Sequence, residues 1–168
     1  VSSIVQQAEA SQKRINEFLS EVPQIRNFTF TPTPIKGDIA FENVSFRYED
    51  TGIEALKEVS FQIEKGQTVA IIGKTGSGKT TLLDLIARMY EATQGEVCID
   101  GQPVQQLNLH SLREAISVVP QENFLFSDTI RNNLRYGNNA TDEEIVAACE
   151  KAVVHHNIVE FTHQYDSI

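Results

Sequence analysis

The chain has 168 residues, with 14 Lys and Arg against 23 Asp and Glu, for a formal net charge of −9. That length suits one domain with a modest core, and 40% apolar with 22% charged residues is a folded composition, not a disordered one. No apolar run approaches the ~18 residues of a membrane span, the acidic balance without a basic block disfavours nucleic acid as a partner, and Cys98 and Cys149 lack metal-like spacing, as expected of reduced thiols in a cytosolic protein.

The chain opens at Val1 without Met or a signal pattern and stops at Ile168 without a terminal cap, so both ends read as cut points in a longer polypeptide. Residues 1–36 carry a net +1, whereas 37–135 and 136–168 each carry −5. The first segment reads as a helix. Ile4, Ala8, Ser11, Ile15, Phe18 and Val22 form a narrow stripe at alternating spacings of four and three, and Pro23 ends it. Two readings stand for this helix over 1–22: an amphipathic helix packed on its own domain, or the tail of a longer helix entering from a preceding one. The stretch 23–37, with Pro32 and Pro34, reads as an extended linker.

Strands follow. Ile39, Phe41, Val44 and Phe46 alternate with one slip at Asn43, which suggests a bulge. After a turn at Thr51-Gly52, Leu56, Val59, Phe61 and Ile63 make a second β run closed by Lys65-Gly66. Thr68 to Ile72 is almost continuously apolar, the pattern of a strand buried on both faces. A glycine-rich loop leads into a helix expected from about Lys79 to Tyr90. Gly95 to Ile99 reads as a strand turned by Asp100-Gly101, Leu109 to Ala115 as a helix, and Ile116 to Val119 as a strand cut off by Pro120. Beyond it, Ser127 is placed to cap a short helix holding Ile130 and Leu134. Thr141 with Glu144 forms a capping box before Ile145, Val146 and Ala148.

The chemistry concentrates in Gly73-Lys74-Thr75-Gly76-Ser77-Gly78-Lys79-Thr80, which satisfies G-x-x-x-x-G-K-[ST] between a strand and a helix. A triphosphate is a dense anion that free backbone N–H groups can surround. Gly76 and Gly78 permit the φ angles this needs and leave room for phosphate oxygens. The helix start adds unsatisfied N–H groups and the positive end of its dipole. Lys79 supplies a charge to the β and γ phosphates, Thr80 a hydroxyl to Mg²⁺, and Thr81 reaches the α phosphate. The competing reading is a ligand-free glycine turn.

An ATPase of this kind also needs an acid at the end of another apolar strand. Asp100 is followed by Gly101, a hairpin signal, and Glu122 sits behind Pro120 and Gln121, which interrupt the strand pattern. Both are rejected, which leaves the catalytic acid outside these residues. His155, His156 and His163 have no metal-binding spacing and read as surface or helix-end residues.

Taken together, Phe41-Glu-Asn-Val-Ser-Phe-Arg-Tyr48, Leu56-Lys-Glu-Val-Ser-Phe61, the phosphate loop, Gly95-Glu-Val-Cys-Ile-Asp-Gly101 and Leu112-Arg-Glu-Ala-Ile-Ser-Val-Val-Pro-Gln121 resemble the nucleotide-binding domain of ABC transporters. Phe124-Leu-Phe-Ser-Asp-Thr-Ile-Arg-Asn-Asn-Leu134 narrows the resemblance to exporters, in which a transmembrane domain precedes the ATPase, and Ala10-Ser-Gln-Lys-Arg-Ile-Asn-Glu-Phe-Leu19 resembles the helix leaving the last span. The resemblance implies an α/β fold: a P-loop NTPase core with an antiparallel β subdomain and the start of a helical subdomain, preceded by the N-terminal helix, and incomplete as a domain. It divides the chain into a helix continuing from a transmembrane domain over 1–22, a linker over 23–37 and the N-terminal part of an ATP-binding domain over 38–168.

The same resemblance assigns roles. Tyr48 would stack on adenine, and Gly73, Lys74, Thr75, Gly76, Ser77, Gly78, Lys79, Thr80 and Thr81 would cradle the phosphates of ATP. Mg²⁺ would sit on Thr80 and Gln121, the latter a catalytic glutamine that also reports nucleotide state to the membrane domain. Residues 122–135 would meet that domain's coupling helices, with Asp128 departing from the Gly of many relatives. A second nucleotide-binding domain would complete the site head to tail at the cytoplasmic face of the cell membrane. The LSGGQ-type signature, the Walker B acid, the D-loop and the switch histidine would lie beyond Ile168. The fragment would therefore bind ATP without turnover, and would expose apolar surface where the acid-bearing strand belongs. The alternatives are a binding-only nucleotide module, a soluble ABC-type ATPase or a small-molecule kinase. The N-terminal helix and the Phe124–Leu134 run oppose the soluble ATPase, and Tyr48 placed before the loop opposes the kinase.

Overall fold

The computed structural model describes residues 2–168, which divide into two compact units, up to Ser117 and from Val118. Helix α1 (Ser2–Ser20) forms where the stripe predicts it. Val1 and the side chain of Ile4 lie outside what is described. The later members of the stripe, Ala8, Ser11, Ile15, Phe18 and Val22, are all exposed, Phe18 to 78%. The described part of the apolar face of α1 is therefore exposed.

The first unit is built on a four-stranded antiparallel sheet in the order β2-β1-β3-β4: β1 (Ile39–Arg47), β2 (Glu54–Ile63), β3 (Gln94–Ile99) and β4 (Gln102–Pro103). The slip at Asn43 is a real irregularity: the β1–β2 register shifts between Phe41 and Val44, and Asn43 takes φ +49°. The turn between β3 and β4 has positive φ at both Asp100 (+52°) and Gly101 (+75°), the mirror-image turn that matches strand twist. One sheet face carries Phe41, Val44, Phe46, Leu56, Val97 and Ile99, which pack with Leu82 and Leu85 of helix α2 (Lys79–Ile86) and with Leu107 and Leu112. Phe41 and Phe61 stack across β1 and β2 at 4.5 Å.

Two expected strands do not form. Thr68–Ile72 and Ile116–Val119 run without strand pairing, and Ile72 and Val119 are 94% and 92% exposed. The reason is physical: a strand meant to be buried on both faces needs a neighbour on each side, and the four paired strands lie elsewhere. Helix α2 is also shorter than expected. It stops at Ile86, because Arg88 turns to φ +51° and buries its guanidinium, with Nη2 2.8 Å from Glu91. Residues 23–37 are extended as read, yet they are fastened to the body by hydrogen bonds to Asp100 and to the start of helix α3 (Leu109–Glu114).

The second unit holds α4 (Ile130–Arg135), α5 (Asp142–Lys151) and α6 (His155–Val159) around Ile145, Cys149, Ile158 and Tyr165. The capping box of Thr141 and Glu144 is present. The cap of α4 is Thr129, which accepts from the Asn132 N–H, and not Ser127 as expected. Arg131 ties the helices together through Asp142 at 2.7 Å and Asp166 at 2.8 Å.

Candidate functional site

The phosphate loop leaves the exposed stretch Thr68–Ile72 and enters α2, whose N-terminal flank is Gly78 with no side-chain cap. The glycines behave as their chemistry requires. Gly76 and Gly78 sit at φ +80° and +83°. At Gly78 a Cβ would also come 2.5 Å from the Ala55 carbonyl oxygen and 2.8 Å from Leu56, so this residue lets the loop lie against β2. A Cβ on Gly73 would lie 2.5 Å from Ser77 Oγ.

Lys79 folds back across the loop. Its Nζ donates to the carbonyls of Lys74 (2.8 Å) and Gly73 (3.0 Å), with Ser77 Oγ at 3.5 Å. The Ser77 N–H closes the turn on the Lys74 carbonyl at 3.2 Å. Among the described residues, the N–H groups of Gly76, Gly78, Lys79 and Thr80 find no acceptor. Free donors, a tethered ammonium and the positive end of a helix converge on one loop, and such a set fits a polyphosphate.

Tyr48 follows β1 directly. Its hydroxyl is 2.9 Å from Thr81 Oγ1, so two residues singled out separately in the sequence meet. The ring is half-buried and held edge-on by Phe46 at 4.8 Å and Tyr90 at 5.5 Å. Beside it runs a groove of about 830 Å³ lined in part by Arg47, Tyr48, Glu49 and Tyr90. Thr81 is buried, with its hydroxyl already engaged by Tyr48, whereas Lys74, Thr75 and Thr80 are exposed.

Asp100 is no free acid. Burial works to raise its pKa, but the backbone N–H groups of Lys36 (2.6 Å), Asp38 (3.1 Å) and Gly37 (3.0 Å), together with the charge of Lys36, hold it below the usual carboxylate value. Its carboxylate instead fastens the backbone of Lys36–Asp38.

Gln121 belongs to the second unit, on exposed irregular backbone, with no hydrogen bond among the described residues. Past it, Phe124, Leu125, Phe126 and Tyr136 form an exposed apolar patch, with Phe126 and Tyr136 4.3 Å apart. Asn133 holds this loop by accepting from the Phe126 N–H and donating to the Phe126 and Asp128 carbonyls. Asp128 precedes the cap of α4: the Asn132 side-chain amide and the Thr129 N–H donate to its carboxylate and hold its pKa low. Sequence reasoning did not single out Tyr90 or Arg113, the latter a donor to the end of α2. Tyr90 carries no motif of its own. Arg113 lay inside a recognised run without a role.

A four-stranded sheet, a glycine loop against its second strand and a donor-rich helix start define a mixed α/β nucleotide-binding fold. The profile of the family described as "ABC transporter" matches residues 56–166. The chain belongs to this family, as part of the ATP-binding domain of the exporter type. It is 36% identical over 165 residues to heavy metal tolerance factor 1 of Caenorhabditis elegans, covering 96% of this chain and 20% of that protein. It is 37% identical over 171 residues to the ATP-dependent lipid A-core flippase of Syntrophus aciditrophicus, covering 100% of this chain and 28% of that one. Among solved structures, a bacterial Atm1-family ABC exporter with ATP bound superposes with a TM-score of 0.86 at 30% identity, over 97% of this chain and 29% of that one. The chain thus spans less than a third of the length of these relatives. No described helix is long and apolar enough to cross a membrane.

Proposed function

We propose that this chain binds Mg·ATP through the loop Gly73–Thr80 and Thr81, and that in its whole protein it drives substrate export across a membrane. The observation that carries the reading is the loop itself, with unpaired N–H groups at Gly76, Gly78, Lys79 and Thr80 around the Lys79 ammonium. Lys79 exchanges its two carbonyl partners for the β and γ phosphates. Gly73, Lys74, Thr75, Gly76, Ser77 and Gly78 shape the cradle, and Thr81 serves the α phosphate. Tyr48, steadied by Phe46, Tyr90 and Thr81, offers a ring face to adenine. No cluster of three His, Cys, Asp or Glu able to hold a metal occurs among the described residues. Mg²⁺ would be held, with phosphate oxygens, by the exposed Thr80 hydroxyl, and Gln121 is the second residue proposed for it. When bound, it neutralises charge on the transferring phosphoryl group.

The finer architecture belongs to the same reading. Thr68–Ile72 and Ile116–Val119, unpaired here, would join a P-loop core as strands once neighbours are supplied, and a helical subdomain starts from about residue 122. Helix 1–22 continues from a transmembrane domain, 23–37 joins it to the ATP-binding part over 38–168, and the assembly sits at the cytoplasmic face of the cell membrane. The exposed patch Phe124–Phe126 with Tyr136 supports contact between 122–135 and the coupling helices, and a second such domain completes the ATP site head to tail. Asp100, committed to the backbone of Lys36–Asp38, is not free to serve as the acid that turnover needs, which supports nucleotide binding without turnover by this chain.

Calorimetric titration with Mg·ATP beside Lys79→Ala tests this. Loss of a charge-assisted contact costs about 1.5–3 kcal/mol, roughly ten- to a hundredfold in affinity. Saturable binding weakened by that factor is expected. Equal affinity in both proteins, or none in either, sinks the reading.

A further inference from the structure

Helix α3 has six residues, and both its ends are engaged. At the first end Asn108 caps the helix, its side-chain oxygen accepting from the Ser111 N–H at 2.9 Å. The same residue grips the N-terminal strap: its amide donates to the Thr29 carbonyl at 2.6 Å and its backbone N–H to the Thr33 hydroxyl at 3.3 Å. The Leu109 N–H donates to the Asn27 side chain at 3.0 Å, the Thr33 N–H to the Ser111 hydroxyl at 3.2 Å, and the Thr29 hydroxyl to the Gln106 carbonyl at 2.7 Å. These bonds join residues far apart in sequence, so the strap is fixed by the fold and not by its own propensity.

At the other end Arg113 reaches α2. Its Nε donates to the Ala87 carbonyl at 3.3 Å and its Nη2 to the Arg88 carbonyl at 2.9 Å. A helix leaves its last carbonyls unsatisfied, and a cation there opposes the negative end of its dipole. The opposite end of this same helix is the phosphate loop, one rigid eight-residue element away. A continuous chain of contacts therefore runs from Asn27, Thr29 and Thr33 through α3 and Arg113 to α2 and Lys79.

We infer that Arg113 is a positioning residue for the phosphate loop, and that through α3 it couples the strap over 27–33 to nucleotide binding. The inference rests on the Mg·ATP reading above. Arg113 holds the C-terminal end of α2, the helix whose other end closes the phosphate loop. Such coupling is an energy shared between the two sites, which a mutant cycle reads directly.

The test is a double-mutant cycle in this chain. Thr29→Val with Thr33→Val loosens the strap, Arg113→Gln cuts the bridge to α2, and a fourth protein carries all three changes. Two quantities are read: Mg·ATP affinity, and amide exchange at Ala87, Arg88 and Met89 without nucleotide. Coupling predicts that the strap variant weakens Mg·ATP binding about fivefold and speeds exchange at those amides, and that both effects vanish in the Arg113→Gln background. Arg113→Lys, which keeps the charge but has a single donor atom in place of the guanidinium fork, should restore part of both. A strap variant that melts earlier but binds Mg·ATP and exchanges at α2 like the parent overturns the inference, as do effects that simply add. If the parent chain fails to bind Mg·ATP, the proposed function falls; the exchange readings then decide the coupling of strap to helix by the same criteria.

Discussion

The sheet and the stretches Thr68–Ile72 and Ile116–Val119 are built from the same kinds of residue and meet opposite fates. In the sheet, Phe41 and Val44 of β1 are 2% and 0% exposed. In the stretches, Ile72 and Val119 stand almost wholly in solvent. Apolarity does not separate them; partners do. An antiparallel pair can be closed by a short turn, as β1 and β2 are through the bonds between Tyr48, Gly52 and Ile53, or β3 and β4 through Asp100-Gly101. A strand buried on both faces waits on neighbours brought in by longer connections. The phosphate loop lies on the seam between these regimes: its helix packs on the finished sheet, and the stretch leading into it is unpaired.

The largest expected effect is on the finished side. Leu112 is fully buried against that core, and Leu112→Ala should cost about 2–5 kcal/mol. Urea denaturation followed by far-UV circular dichroism measures it. A loss under 1 kcal/mol would mean the core is as loosely formed as the unpaired stretches. Next comes the seam. Gly78→Ala meets a left-handed φ and a 2.5 Å approach to the Ala55 carbonyl. It should destabilise by about 1–3 kcal/mol and abolish Mg·ATP binding more completely than the change at Gly76, where a Cβ meets nothing within 4 Å. Equal binding losses at both glycines would show that the contact with β2 does not shape the loop.

Asp100 sharpens the comparison through pH. Its folded pKa is depressed, so the stability it adds is present above the ordinary carboxylate value of about 3.9 and disappears as pH falls through the lower folded value. Asp100→Asn should therefore be less stable than the parent at pH 7, and the two curves should close together on acidification below about pH 4. Parallel curves throughout would show that the clamp on Lys36–Asp38 carries no electrostatic weight.

Much of the finished side was legible in the sequence, because its signals are local. Alternation marked β1 and β2, the Asp-Gly pair marked the β3–β4 turn, and the Thr141–Glu144 box marked α5. The loop's glycines and Lys79 also announced their conformations, since each residue type answers a steric or electrostatic demand within a few positions. What escaped depends on distant contacts. The stretch 23–37 reads as a linker because Asn108 and Asp100, which hold it, lie far along the chain. Helix α2 reads on to Tyr90 because nothing near Arg88 signals that its side chain will be buried beside Glu91. The hydroxyl pair of Tyr48 and Thr81 joins two motifs whose separate patterns do not mention each other.

The smallest expected effect on stability falls on the unfinished side. Val119→Ser and Ile72→Ser replace side chains that touch almost nothing, so each should change stability by no more than about 0.5 kcal/mol. Yet these residues contribute exposed apolar surface, which binds dyes and favours association. The paired variant should therefore show weaker binding of an apolar fluorescent dye than the parent while its urea midpoint stays put. The two readings separate the alternatives. A midpoint that falls by more than 1 kcal/mol equivalent would place these side chains inside a core in solution, paired as strands without outside help. A midpoint that holds while dye binding drops would show that the stretch leading into the phosphate loop keeps its apolar side chains in solvent, outside the four-stranded sheet and available to a neighbour.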